Sequence, residues 1–356
     1  MSSLRMPSGG SHPLRSTVSA LALVAALALT GCSQGAADTG STTGATFESV
    51  AEAGAFPVTV EHALGQTKID TEPERVVVIG WTTPDVVVAL GRVPVAVGFN
   101  AYGADAEGYF PWFREAVEEL GGEMPMALPS LERGEIDFEE LLSTEPDLIL
   151  ATYSGISEED YDRLSDIAPT VAYPEQAWAT PLGDNIEIVG EALGVPQRAA
   201  DLQAGLDDMI VSVAEEHPEF DGVTFAYGTV PMDDGTLLLN GPTDPRVQLI
   251  EQLGMSLVPG VAGLGEESSS FNVSLEELSG LSPQLYVTNV DGDAEWKRAL
   301  TNSSVFADWR PIAGGDVVVT NDVAQTMSLS APSPLSIPWG LDHLVGSLAE
   351  AVANLE

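Results

Sequence analysis

Cysteine and basic residues are nearly missing from this 356-residue chain. Cys32 is the single cysteine, so no disulfide forms within the chain and stability has to come from packed cores. Thirteen lysines and arginines face 54 aspartates and glutamates, giving a formal net charge of −41. Such a surface repels a phosphate backbone and excludes nucleic acid as a partner. It also lacks the polybasic segment that binds an anionic membrane surface. Histidine is scarce: His62, His217 and His343 are far apart after the first sixty residues. A bare zinc or manganese site wants clustered imidazole and carboxylate ligands, so no resident metal is expected. No Gly-x-Ser-x-Gly elbow, phosphate loop or His-Glu-x-x-His pair is present, so the chain is not read as an enzyme. The apolar run from Ser16 to Thr30 is about fifteen residues, short for a membrane-spanning helix.

That run nonetheless has a meaning. Arg5 and Arg15 precede it and Leu29-Thr30-Gly31-Cys32 closes it. A basic start, an apolar middle and a small-residue cleavage point describe a secretory signal. A cysteine just past the cleavage point resembles a bacterial lipobox, which implies a diacylglycerol thioether on Cys32 and cleavage before it. Two or three acyl chains hold a protein on a membrane that one chain holds only weakly. The expected organisation is therefore a signal over 1–31 and a flexible tether over 32–55, rich in Ser, Gly, Ala and Thr. With 44% hydrophobic residues the remainder is globular, and its length suits two lobes.

Val58 to His62 alternates as a short strand, and Arg75-Val76-Val77-Val78-Ile79-Gly80 is a buried β-branched run. A helix beginning at Asp85 and a strand over Val93 to Gly98 complete a parallel βαβ unit. The same alternation continues through strands at Pro146–Ala151 and Thr170–Tyr173 and a helix from Asn185 to Leu193. Gln197 to Glu216 reads as a helix of roughly 30 Å at 1.5 Å per residue, long enough to cross between lobes. A second series follows, with strands near Gly222–Gly228, Ser282–Val287 and Asp316–Thr320 and a final helix over Gly340–Leu355. Gly260 to Gly265 reads as a loop. One segment recurs: Ile136-Asp137-Phe138-Glu139-Glu140-Leu141 with Pro146-Asp147-Leu148 is matched by Val273-Ser274-Leu275-Glu276-Glu277-Leu278 with Pro283-Gln284-Leu285. Five of the thirteen aligned positions are identical, without a gap.

These segments, with Pro73 to Trp81, Gly91 to Gly98 and the lipobox, give the chain a resemblance over about 56–356 to class III substrate-binding lipoproteins of ABC importers, the ferric-siderophore and cobalamin type. The resemblance implies an α/β fold of two Rossmann-like lobes joined by one long helix, with the ligand cleft between the lobes. The expected boundaries are 56–195 for the first lobe, 196–217 for the interlobe helix and 218–356 for the second. It implies a monomer, lipid-anchored on the outer face of the cell membrane. Such a protein carries an iron(III)–siderophore to a permease, with no cofactor and no catalysis; cobalamin or heme is the alternative ligand, and a secreted two-lobe enzyme the alternative class. Glu139 and Glu276 match the positions that dock the permease, one on each lobe. Arg133 lies in a loop that lines the pocket in that family.

Ligands of α/β sheets sit beyond the carboxyl ends of the strands. That rule selects Trp81, Tyr102 and Tyr153 in the first lobe, and Tyr227, Arg246, Trp296 and the loop near Met327 in the second. Guanidinium groups suit carboxylate or catecholate oxygens. Arg133 and Arg246 are the favoured arginines, whereas Arg75 and Arg92 flank strands and Arg163 and Arg198 belong to helix surfaces.

Overall fold

The computed structural model describes residues 49–132, 134–263 and 269–355. The signal, Cys32 and Arg133 lie outside the described residues. From Ser49 onward the described chain belongs to one unit.

A hairpin comes first, with β1 (Val58–His62) antiparallel to β2 (Gly65–Ile69). The first-lobe sheet contains β3 (Val76–Val78), β4 (Ala96–Gly98), β5 (Met126–Leu128), β6 (Leu148–Ala151) and β7 (Thr170–Ala172). Its order is β5-β4-β3-β6-β7 and every pairing is parallel. β3, β6 and β7 are buried along their whole length, as a sheet covered on both faces requires. The order reverses between β3 and β6, and the loops after these two strands diverge there.

The second sheet is mixed. It contains β8 (Thr224–Gly228), β9 (Thr236–Asn240), β10 (Ser256–Leu257), β11 (Ser270–Ser274), β12 (Leu285–Asn289) and β13 (Val317–Thr320). β8, β12 and β13 run parallel, while β9 and β11 add antiparallel strands at one edge. β10 pairs with the start of β8. The fold is α/β with two lobes. Pro259–Ala262, which overlaps the start of the Gly260–Gly265 segment read as a loop, is one helical turn started by proline.

The Pro196–Glu216 helix runs between the two cores. Its Ala199 and Leu206 pack into the first-lobe core and its Ile210 into the second. Residues 49–55, assigned to the tether from sequence, are attached to the first lobe. Glu72 accepts the backbone N–H groups of Val50 and Ala51 and pairs with Arg92 at 2.6 Å. The Glu52 carboxylate accepts the N–H groups of Gln197 and Arg198, capping the long helix where its own first turn has none to offer. Short side chains made this stretch look like linker; two glutamates fix it.

The repeated segment occupies equivalent places in the lobes. Phe138–Ser143 precedes β6 and Leu275–Leu278 precedes β12, and each of these strands lies beside the first strand of its own sheet. Asp137 caps the first copy through the N–H groups of Glu139 and Glu140. Ser274 caps the second through Glu277 N–H, and Glu277 returns its carboxylate to Ser274.

Behind the cleft the lobes touch. Ser333 of the second lobe donates to Asp85 of the first, as does Trp112 Nε1 at 2.8 Å. Trp112 also meets Trp339 at 5.3 Å between ring centroids. Burial pushes the Asp85 carboxyl up to about 7, against the lowering effect of these two donors.

Candidate ligand-binding site

A cavity of about 960 Å³ opens at the carboxyl end of the parallel sheet. Its walls come from the loop after β3 (Ile79, Gly80, Trp81), the loop after β4 (Phe99 to Tyr102), the loop after β6 (Ser154, Gly155, Ile156) and Trp178 beyond β7. Met327 closes it from the second lobe. Trp81, Tyr102 and Trp178 are 48%, 62% and 57% exposed. Three large aromatics left uncovered around one cavity have the exposure of a binding surface rather than of a core.

Local geometry explains why these rings stand out. Gly80 has φ of 143°, and a Cβ there would lie 2.5 Å from the Tyr153 carbonyl oxygen. Glycine lets the two loops cross at the switch point, and Trp81 N–H then reaches the Tyr153 carbonyl at 3.4 Å. Beneath the crossing, Thr82, Thr83, Thr152 and Asn185 form a buried network. Thr152 Oγ1 donates to Asn185 Oδ1 at 2.6 Å and Asn185 Nδ2 to Thr82 Oγ1 at 3.2 Å. A satisfied buried network rigidifies the loops that carry Trp81 and Tyr153.

Trp178 has φ of 60°, a left-handed conformation that costs an L-residue roughly 1–2 kcal/mol. Its N–H bonds the Ser154 carbonyl at 3.0 Å and its ring covers Gly155, where any Cβ would clash with the indole nitrogen. Sequence reasoning missed Trp178 because the stretch around it has no periodicity. The pairing of a bare glycine after β6 with a tryptophan after β7 is the signal that was available.

The sequence-selected residues separate into two groups. Trp81, Tyr102 and Met327 come together on the cavity. Tyr153 stands just behind it, its ring edge-on to Trp178 at 6.3 Å, with burial raising the phenol pKa. The other second-lobe candidates do not reach it. Tyr227 is 3% exposed within β8, under the Arg246 guanidinium. Arg246 is committed to Asp244 through two hydrogen bonds of 2.7 and 2.9 Å. Trp296 packs edge-on against Phe306 in the second core. Arg163 is exposed on the Glu158–Ser165 helix, as read from the sequence, and also lines the cavity. Among the described residues, no three His, Cys, Asp or Glu side chains gather as a metal site.

Glu139 and Glu276 are exposed, and neither carboxylate has a hydrogen bond or ion pair among the described residues. Their neighbours differ: Glu277 is bound into the Ser274 cap and Glu140 is half-buried beside Ser130.

Residues 76–297 match the sequence profile described as periplasmic binding protein. The chain belongs to that family. This periplasmic binding protein is 31% identical to the Streptococcus pneumoniae protein PiaA, whose crystal structure is a complex with ferrichrome. That match has a TM-score of 0.70 and covers 84% of this chain and all of the other. A cobalamin-binding protein of Halobacterium salinarum is 27% identical over 286 residues, covering 78% of this chain and 71% of the relative. A putative ABC transporter substrate-binding lipoprotein of Bacillus subtilis is 22% identical over 270 residues, 73% of this chain and 80% of its own length. In this binding protein, no helix among the described residues is long and apolar enough to cross a membrane.

Proposed function

We propose that this protein is the extracytoplasmic substrate-binding component of an ABC importer and that its ligand is an iron(III)–siderophore. The observation that carries the reading is the aromatic cavity at the switch point. Its volume of about 960 Å³ is at the upper end of small-molecule sites, which suits a large chelate better than a bare ion. Aromatic faces meet the organic shell of a chelate, and the rigid loops beneath them reduce the ordering cost of binding. The PiaA–ferrichrome structure supports the same ligand class. The Halobacterium relative favours cobalamin as a second reading.

Delivery follows from the two unpaired glutamates. Glu139 and Glu276 are separated anionic points, one per lobe, and rim charges of that kind set orientation and association rate. They dock the protein on basic residues of a permease. Lipid on Cys32 keeps the chain at the membrane, as the name of the Bacillus relative also indicates for that protein. The test is tryptophan fluorescence of the purified protein titrated with iron(III) siderophores, cobalamin and heme. Saturable quenching at sub-micromolar concentration by a siderophore supports the reading. A response to cobalamin alone replaces it with the second.

A further inference from the structure

We infer that Arg163 is a ligand-recognition residue of the cavity, donating the edge of its guanidinium to negatively charged oxygens of the bound chelate. The inference rests on the proposed siderophore reading and adds to it the residue and the ligand chemistry. Arg163 is the cation in the cavity's lining among the described residues. It also borders a side pocket of about 380 Å³ that continues from the cavity past Ile136 and Phe138 to Glu139.

Most described arginines elsewhere are occupied. Arg75 holds the Thr144 and Glu145 carbonyls, Arg92 pairs with Glu72, Arg114 with Asp105 and Glu107, Arg198 binds the Leu90 carbonyl, and Arg246 pairs with Asp244. Among the described residues Arg163 has no acidic partner, in a sequence rich in acids. Its guanidinium carbon lies 3.5 Å from the centroid of the Phe138 ring. Stacking on the ring occupies one face of the planar group and leaves its N–H edge free. Asp160, one turn earlier, is not available to it, because its carboxylate holds the Ser157 backbone and hydroxyl in a capping box. A guanidinium held flat with its donors free is prepared for oxygen acceptors, and bidentate pairing gives direction as well as attraction. Iron-bound oxygens of a siderophore carry such charge, as do its free carboxylates.

The experiment measures dissociation constants of wild-type protein and of Arg163→Gln, Arg163→Lys and Phe138→Leu by tryptophan quenching. The probes are a neutral iron(III) trihydroxamate and anionic ferric citrate, each at two salt concentrations. The expected result is at least tenfold weaker binding in Arg163→Gln for whichever probe binds better, and a larger loss on ferric citrate than on the trihydroxamate if both bind. Arg163→Lys restores part of it, because an ammonium keeps the charge but not the flat fork, and Phe138→Leu weakens binding a few-fold. Arg163→Gln within twofold of wild type on both probes overturns the assignment while the siderophore reading stands. Wild-type protein that binds neither probe overturns both.

Discussion

The two lobes share a repeated segment and a parallel βαβ core, and both bury aromatics (Tyr109, Phe110, Trp112 and Phe113 in the first), yet among the described residues the first alone also leaves large aromatics exposed. In the first lobe Trp81, Tyr102 and Trp178 stand at the sheet's carboxyl edge, roughly half or more exposed. In the second, Tyr286, Phe306, Trp309 and Trp296 pack edge to face in the interior, with centroids 4.9 to 6.1 Å apart. The Tyr286 hydroxyl donates to the Thr229 carbonyl and Trp309 Nε1 to the Leu281 carbonyl. Buried aromatics with satisfied polar atoms stabilise a core, and uncovered ones around a cavity recognise a ligand. On the proposed reading, recognition is concentrated on one lobe, while the exposed glutamates assigned to docking, Glu139 and Glu276, are divided evenly between the two.

The evenly divided feature gives the largest expected effect. Glu139→Ala with Glu276→Ala is expected to abolish uptake into cells and leave the ligand dissociation constant within twofold. Ligand affinity lost together with uptake would show that these glutamates serve the cavity instead. Next in size is the second-lobe cluster. Phe306→Ala removes a fully buried ring and is expected to cost about 3–5 kcal/mol in denaturant unfolding, with ligand affinity near wild type once folded. Trp81→Ala and Trp178→Ala should behave the other way. Each is expected to weaken ligand binding about tenfold or more, roughly 1.4 kcal/mol or above, with unfolding changed little. Trp178→Ala gains part of its stability back by relieving the left-handed conformation only if alanine takes up another φ, so Trp178→Gly is the cleaner variant. A Trp81→Ala protein with wild-type affinity and a lowered unfolding midpoint would erase the distinction between the lobes.

Most of the architecture was legible in the sequence because buried parallel strands are short β-branched runs and the repeated Glu-Glu-Leu segment marks the same place in each lobe. The first-lobe wall was legible too, since Trp81 and Tyr102 follow their strands by a few residues in loops. The same rule failed at Tyr227 for a simple reason. It lies inside β8, one position before the end, where its side chain is buried under the Arg246 guanidinium. Arg246 was not separable from a ligand contact without knowing that Asp244, two residues earlier, is the helix cap that binds it. Arg163 and Trp178 depend on contacts with Phe138 and Gly155, which are remote in sequence or need an unusual φ, and no local pattern announces either.

The smallest expected effect concerns the contact between the lobes. Asp85 is 7% exposed, binds Ser333 and Trp112, and is pushed up to about 7 from an ordinary 3.8 by burial. A carboxyl whose pKa is higher folded than unfolded favours the folded state when protonated. Its contribution is complete below about pH 4 and is lost as the pH rises through 7. Other acids act oppositely: Glu72 and Asp105 are held below their usual range by hydrogen bonds and arginine partners, so they weaken the fold on acidification. Total stability against pH therefore mixes the two signs, and the difference between wild type and Asp85→Asn isolates this one group. A shift of about three units sets an upper bound of roughly 4 kcal/mol. Water entry and a less favourable amide hydrogen bond reduce it, and a gain of about 1–2 kcal/mol for Asp85→Asn at pH 8 is expected. Denaturant unfolding of both proteins from pH 4.5 to pH 8.5 should show the variant's advantage growing through the range and levelling off above pH 7. An advantage that stays constant with pH would mean that Asp85 is ionised where the lobes meet, and that the contact is held by an anion shared between a serine and a tryptophan.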